Sequence, residues 1–98
     1  MSIISLAELY GGVERARDRD AAEEAVTSFL SQVEILTVGE ETCREFGKLS
    51  ALLRTNNIHP GDFDVLIAST AMEHGLTVLT TDGDDFQRFP GVRLIIKP

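Results

Sequence analysis

An α/β fold with a mainly parallel sheet is the architecture this sequence predicts, on three observations. Apolar residues recur at helical spacing in four stretches, short β-branched runs alternate with them, and one unbroken run, Leu76 to Thr80, directly follows a helix that stops at a glycine. Strands alternating with helices form parallel sheets with helices packed against them. A strand apolar on both faces belongs in the middle of such a sheet. The 98 residues, 43% of them apolar, fit one small domain spanning residues 1–98.

In chain order, Ser2-Ile3-Ile4 is a short strand candidate. Ser5 then opens a helix, and Ser5-x-x-Glu8 has the form of a capping box, each side chain satisfying a backbone donor at the other's position. Leu6, Leu9, Tyr10 and Val13 make its apolar side, and Gly11-Gly12 weaken it. Arg15, Arg17 and Arg19 form a basic cluster beside Asp18 and Asp20. A second helix is expected from Ala21 to Val33, where Ala22, Ala25, Val26, Phe29 and Leu30 recur at three- and four-residue steps. Ile35 to Val38 reads as a strand broken by Gly39.

Glu40 and Glu41 occupy the first turn of a third helix, where the helix dipole favours negative charge. It should run to about Thr55 with Cys43, Phe46, Leu49, Leu52 and Leu53 inward, and end at Asn56-Asn57. A fourth helix, from Asp62 or Phe63 to His74, is apolar on most sides and should be the most buried. Gly75 suits its C-terminus. After the strand Leu76 to Thr80 come an acidic turn, Asp82-Gly83-Asp84-Asp85, a single helical turn over Phe86 to Phe89, and a last strand from Val92 to Ile96.

Composition narrows the function. One cysteine excludes an internal disulfide framework and suits a reducing compartment. No apolar run approaches the ~20 residues of a membrane span, and the N-terminus lacks the basic segment of a signal peptide. A cytoplasmic protein with no membrane association is expected. The net charge of −7 argues against a nucleic-acid coat, whose affinity comes from Lys and Arg neutralising phosphates. It leaves room for a nucleic-acid enzyme that works through metal ions, and an acidic surface suits a basic partner.

Function in an open α/β sheet lies at the carboxyl ends of the strands. Glu8 follows the first strand, Asp82 follows the third, and Asp64 reaches the same edge from a helix N-terminus. Clustered carboxylates repel one another unless a cation sits among them. Oxygen ligands without Cys or His favour Mg²⁺ or Mn²⁺ over zinc, and such ions activate water and stabilise phosphate oxygens.

Each residue also has a structural reading. Glu8 completes a capping box, Asp62 and Asp64 favour a helix N-terminus, and Asp82 to Asp85 form a polar turn. A calcium loop of the EF-hand kind fails, because counting from Asp82 puts Arg93 where the bidentate Glu is needed. His59 and His74 stand alone, Cys43 lies on an apolar helix face, and no G-x-S-x-G or Walker motif occurs.

Ile3 to Gly11 resembles the I-S-x-x-T-x-A-E-L-x-x-G segment of PIN-domain ribonucleases of the VapC toxin type. Asp64-Val-Leu-Ile-Ala-Ser-Thr-Ala71 with Gly75-Leu-Thr-Val-Leu-Thr80 resembles their D-x-L-I-A-A-x-A…G-L-T-L-V-T segment. Thr81-Asp82-x-x-Asp85-Phe86 with Phe89-Pro90-Gly91-Val92 resembles R-N/D-x-x-D-F…I-P-G-L. The segments occur in family order across essentially the whole chain. The resemblance implies a PIN-like three-layer α/β/α domain, an acidic site for Mg²⁺ or Mn²⁺, RNA cleavage, a homodimer, and inhibition by a small cognate antitoxin. By motif position it implies Glu8, Asp64 and Asp82 as metal-site residues, Asp85 as a further catalytic carboxylate, and Asp62 as an outer helper.

One departure stands beside the match. The family begins with a strand carrying D-T/S-N/S, which supplies the first catalytic aspartate and lies mid-sheet, and that triplet occurs nowhere in these 98 residues. The expectation is an N-terminally truncated PIN-like sheet, weak metal binding and impaired RNA cleavage. The alternative is a non-catalytic PIN-like remnant that binds an antitoxin or a paired PIN chain. A flavodoxin-like or response-regulator-like binding domain is weakened by the absent phosphate loop.

Overall fold

Ser2, not Ser5, caps the first helix. In the computed structural model, which describes residues 1–80 and 89–96, the Ser2 Oγ accepts the backbone N–H of Ser5 at 3.0 Å. Helix α1 then runs Ile3–Arg15, through Gly11 and Gly12. Ile3 and Ile4, expected in a strand, form its first turn. A cap hydroxyl that satisfies an orphan helix donor outweighs the modest strand preference of two isoleucines. The strand character that remains is a single parallel bridge between Ser2 and Leu36. Leu36 N–H donates to the Met1 carbonyl at 2.7 Å, and Ile3 N–H donates to the Leu36 carbonyl at 2.8 Å. The strand expected from Ile35 to Val38 reduces to this bridge.

Asp18 caps α2 (Arg19–Leu30), its Oδ1 accepting from the Ala21 N–H at 3.0 Å. The helix therefore starts two residues before Ala21 and stops short of Val33. Arg19 pairs with Glu14 and with Glu23, each at 2.8 Å. Hydrogen bonding to Arg19, reinforced by its charge, holds the Glu14 carboxyl below its ordinary range. These exposed pairs add little stability. The segment Met1–Thr37 forms one compact unit, in which Val13 of α1 is buried.

Among the described residues, the second unit, Val38–Pro98, is built on a helical hairpin and a two-stranded parallel sheet. Helix α3 spans Glu40–Thr55 and α4 spans Asp62–Glu73. Both end in the same way. Ile58 N–H bonds to the Leu53 carbonyl and Asn57 N–H to the Arg54 carbonyl; Leu76 N–H bonds to the Ala71 carbonyl and Gly75 N–H to the Met72 carbonyl. That is the paired Schellman pattern, and the left-handed residue it requires is Asn57 (φ 57°) in one case and Gly75 (φ 63°) in the other.

Strand β1 (Val78–Thr80) pairs in parallel with β2 (Leu94–Ile96), Val78 opposite Leu94. The core gathers Leu49 and Leu53 of α3, Val65 and Ala68 of α4, Val78 and Phe89. As expected, α4 carries the most buried residues of the described helices: Val65, Ala68, Ser69 and Thr70. The two hydroxyls are satisfied within the helix, Ser69 donating to the Val65 carbonyl at 2.6 Å and Thr70 to the Leu66 carbonyl at 2.9 Å.

Three burial expectations are corrected. Cys43 and Leu52 face outward from α3, Leu52 being 48% exposed. The run Leu76 to Thr80 is not covered on both faces: Leu76 and Leu79 are 49% and 63% exposed, while Val78 is buried. Leu76 belongs to the chain reversal after α4, and within the strand successive side chains point to opposite faces. The acidic turn Asp82 to Asp85 and most of the helical turn Phe86 to Phe89 lie outside the described residues.

Candidate functional site

The position of Asp64 follows from the order of α4 and β1. Gly61 precedes the helix in an extended conformation, and Asp62, Phe63 and Asp64 form its first turn. From Asp64 to His74 the helix advances ~15 Å. The Gly75 turn reverses the chain, and β1 (Val78–Thr80) runs back against α4. The start of α4 and the carboxyl end of β1 therefore lie toward the same end of the second unit. Asp64 is half-buried and Asp62 exposed. Negative charge here is favoured by the α4 dipole, so the helix start tolerates both carboxylates at one edge.

Two contacts fix α4 at its other end. The Thr42 Oγ1 accepts the Gly39 N–H at 3.1 Å and donates to the Glu73 carboxylate at 2.6 Å. Thr42 is fully buried. The first turn of α3 is thereby tied to the last turn of α4, while the loop from Asn56 to Gly61 joins the opposite ends. Arg93 donates to the Gly75 carbonyl and steadies the turn between α4 and β1. No apolar pattern marks Thr42; its signal was its place three residues after Gly39, where a hydroxyl reaches the N-cap backbone.

Glu8 lies in the second turn of α1, in the first unit, and is exposed. Because Ser2 caps the helix, Glu8 is not part of a capping box, and the structural role read for it is filled by another residue. Asp82 and Asp85 lie outside the described residues. Among the described residues no three His, Cys, Asp or Glu side chains stand close enough together to hold a metal ion. The described part of the expected set, Glu8 and Asp64, supplies carboxylate oxygen only, a donor chemistry that fits Mg²⁺ or Mn²⁺ rather than zinc. Among the described residues no helix is long and apolar enough to cross a membrane.

Comparison with known proteins agrees with this architecture. The PIN domain family matches residues 1–92. The tRNA(fMet)-specific endonuclease VapC of Salmonella typhimurium is 31% identical over 94 residues, which cover 96% of this chain and 71% of that protein. The VapBC2 structure from Rickettsia felis, bound to a DNA fragment from its promoter, superposes with a TM-score of 0.90 at 30% identity, covering 99% of this chain and 73% of that one. VapBC-5 from Mycobacterium tuberculosis, a toxin–antitoxin system, superposes with a TM-score of 0.85 at 30% identity, covering 98% and 79%. With the family model matching residues 1–92 of this chain and the α/β fold shared, this chain belongs to the PIN-domain family, in its VapC toxin branch.

Proposed function

We propose that this chain is a metal-dependent endoribonuclease of the VapC toxin type, a single PIN-like domain working in the cytoplasm. The observation that carries the reading is Asp64, half-buried in the first turn of α4, the helix against which β1 packs before the chain leads on to Asp82. The relative named as an endonuclease supports the substrate class. Glu8, Asp64 and Asp82 would hold Mg²⁺ or Mn²⁺, and Asp85 would complete the acidic edge. The ion supplies an activated water and stabilises the phosphate oxygens during phosphodiester hydrolysis. The carboxylates orient the site, accept the proton released as water attacks, and repel RNA phosphates that approach without a cation.

These 98 residues lack the D-T/S-N/S triplet, so the site is proposed to bind metal weakly and to turn over slowly. The same absence favours a second reading, a non-catalytic PIN-like module that binds an antitoxin or a paired PIN chain. The solved VapBC structures support a small antitoxin as partner. Incubating the purified chain with RNA in Mn²⁺ and in EDTA separates the two: EDTA-sensitive cleavage supports the enzyme, and antitoxin binding without cleavage supports the module. A homodimer is proposed as the working form, since the outer face of β1 leaves Leu79 63% exposed. Size exclusion with light scattering at micromolar concentration tests this; a monodisperse monomer contradicts it.

A further inference from the structure

We propose that the first unit, Met1–Thr37, is a separately opening element: α1 and α2 unfold and refold while the second unit stays folded, and each opening takes Glu8 out of a folded helix. The unit has little buried apolar surface to hold it. All of its residues are described, and Val13 is its one buried apolar residue. Helix α2 contributes none. Its aromatic side chains, Tyr10 and Phe29, are 43% and 48% exposed. The second unit, by contrast, buries Leu49, Leu53, Val65, Ala68, Val78 and Phe89 in one cluster, each 6% exposed or less. Segments below ~40 residues rarely hold together on their own core, and local opening costs least where few apolar contacts are buried.

Helix α1 carries its own weak point. Gly11 and Gly12 lie inside it, where each disfavours folding about 5-fold relative to alanine. A Cβ at Gly12 would meet nothing within 4 Å, and the nearest atom to one at Gly11 is the tip of the Arg15 side chain, at 3.2 Å. Neither glycine has a positive φ. Backbone geometry and packing therefore do not call for glycine at position 12, and its effect there is to loosen the helix. The bonds that close the unit are a backbone bridge, Leu36 with Met1 and Ile3, and the exposed pairs of Arg19 with Glu14 and Glu23, which water screens. Glu8 sits in α1, so an ion held through it binds the closed form and opposes opening; this last step rests on the metal-site reading above.

Hydrogen–deuterium exchange of the full chain in EDTA, resolved by peptide, tests this. Amides of α1 and α2 should exchange about 10-fold faster or more than those of α3 and α4, relative to their intrinsic rates. Thr42→Val weakens the second unit, so it should speed exchange in α3 and α4 about 10-fold or more while leaving α1 and α2 unchanged. Gly12→Ala should slow exchange in α1 and α2 about 5-fold. Mn²⁺ at about ten times the dissociation constant found by calorimetry should slow α1 about 10-fold in the parent chain and not in Glu8→Gln. Equal protection of the two units, or α1 and α2 sped by Thr42→Val as much as α3 and α4, means one cooperative body and overturns the proposal. Exchange in α1 unchanged by Gly12→Ala also overturns it. Mn²⁺ that binds without protecting α1 overturns the link through Glu8. No Mn²⁺ binding at all overturns the metal reading and leaves separate opening standing.

Discussion

Thr42 donates its hydroxyl to Glu73 at 2.6 Å, joining the first turn of α3 to the last turn of α4. The bond is charge-assisted and starts from a fully buried residue. The same oxygen caps α3 through the Gly39 N–H. Thr42→Val should therefore lower stability by about 2 kcal/mol, combining a lost cap with a lost bond to a charged acceptor. Glu73→Gln, which keeps an acceptor, should cost less. Urea unfolding of Thr42→Val, Glu73→Ala and the double variant should show a coupling of about 1 kcal/mol. Strict additivity would mean that the start of α3 and the end of α4 are held independently.

Helix α1 gives a second prediction. Ser2→Ala removes the residue that caps the helix and should cost about 1 kcal/mol. Glu8→Gln should change stability by less than about 0.5 kcal/mol, as an exposed residue outside any cap does. If chemical denaturation shows Glu8→Gln to be as costly as Ser2→Ala, Glu8 has a structural role and its place in a metal site loses its main support.

The sequence made the helices of the second unit readable, down to their ends. Glu40 to Thr55 and Asp62 to Glu73 carry acidic first turns and stop at Asn57 and Gly75, residues that adopt the left-handed conformation a Schellman turn requires. What misled is instructive. Around α3, Thr42, Phe46, Leu49 and Leu53 fall within about 60° of one another, while Cys43 and Leu52 lie about 90° off that stripe. Counting every apolar residue as inward therefore drew in two exposed ones and passed over the buried threonine. Ile3 and Ile4 read as strand because their branching was visible and the cap at Ser2 was not weighed against it. Asp64 was legible as a site candidate from its place at a helix start.

The proposed metal site is tested by titration calorimetry. Weak Mn²⁺ binding is expected, reduced about 10-fold or more by Asp64→Asn or by Asp82→Asn, since each removes charge from an oxygen-only donor set. Binding unchanged in both variants would remove Asp64 and Asp82 from the site.

Cleavage of RNA by the purified chain tests the central claim most directly. With enzyme in excess over a labelled RNA and Mn²⁺ present, slow cleavage is predicted that stops in EDTA and is lost in Asp64→Asn and in Glu8→Gln. Cleavage that persists in EDTA or in Asp64→Asn, or none over many hours at micromolar enzyme, would contradict a metal-dependent ribonuclease built on these carboxylates.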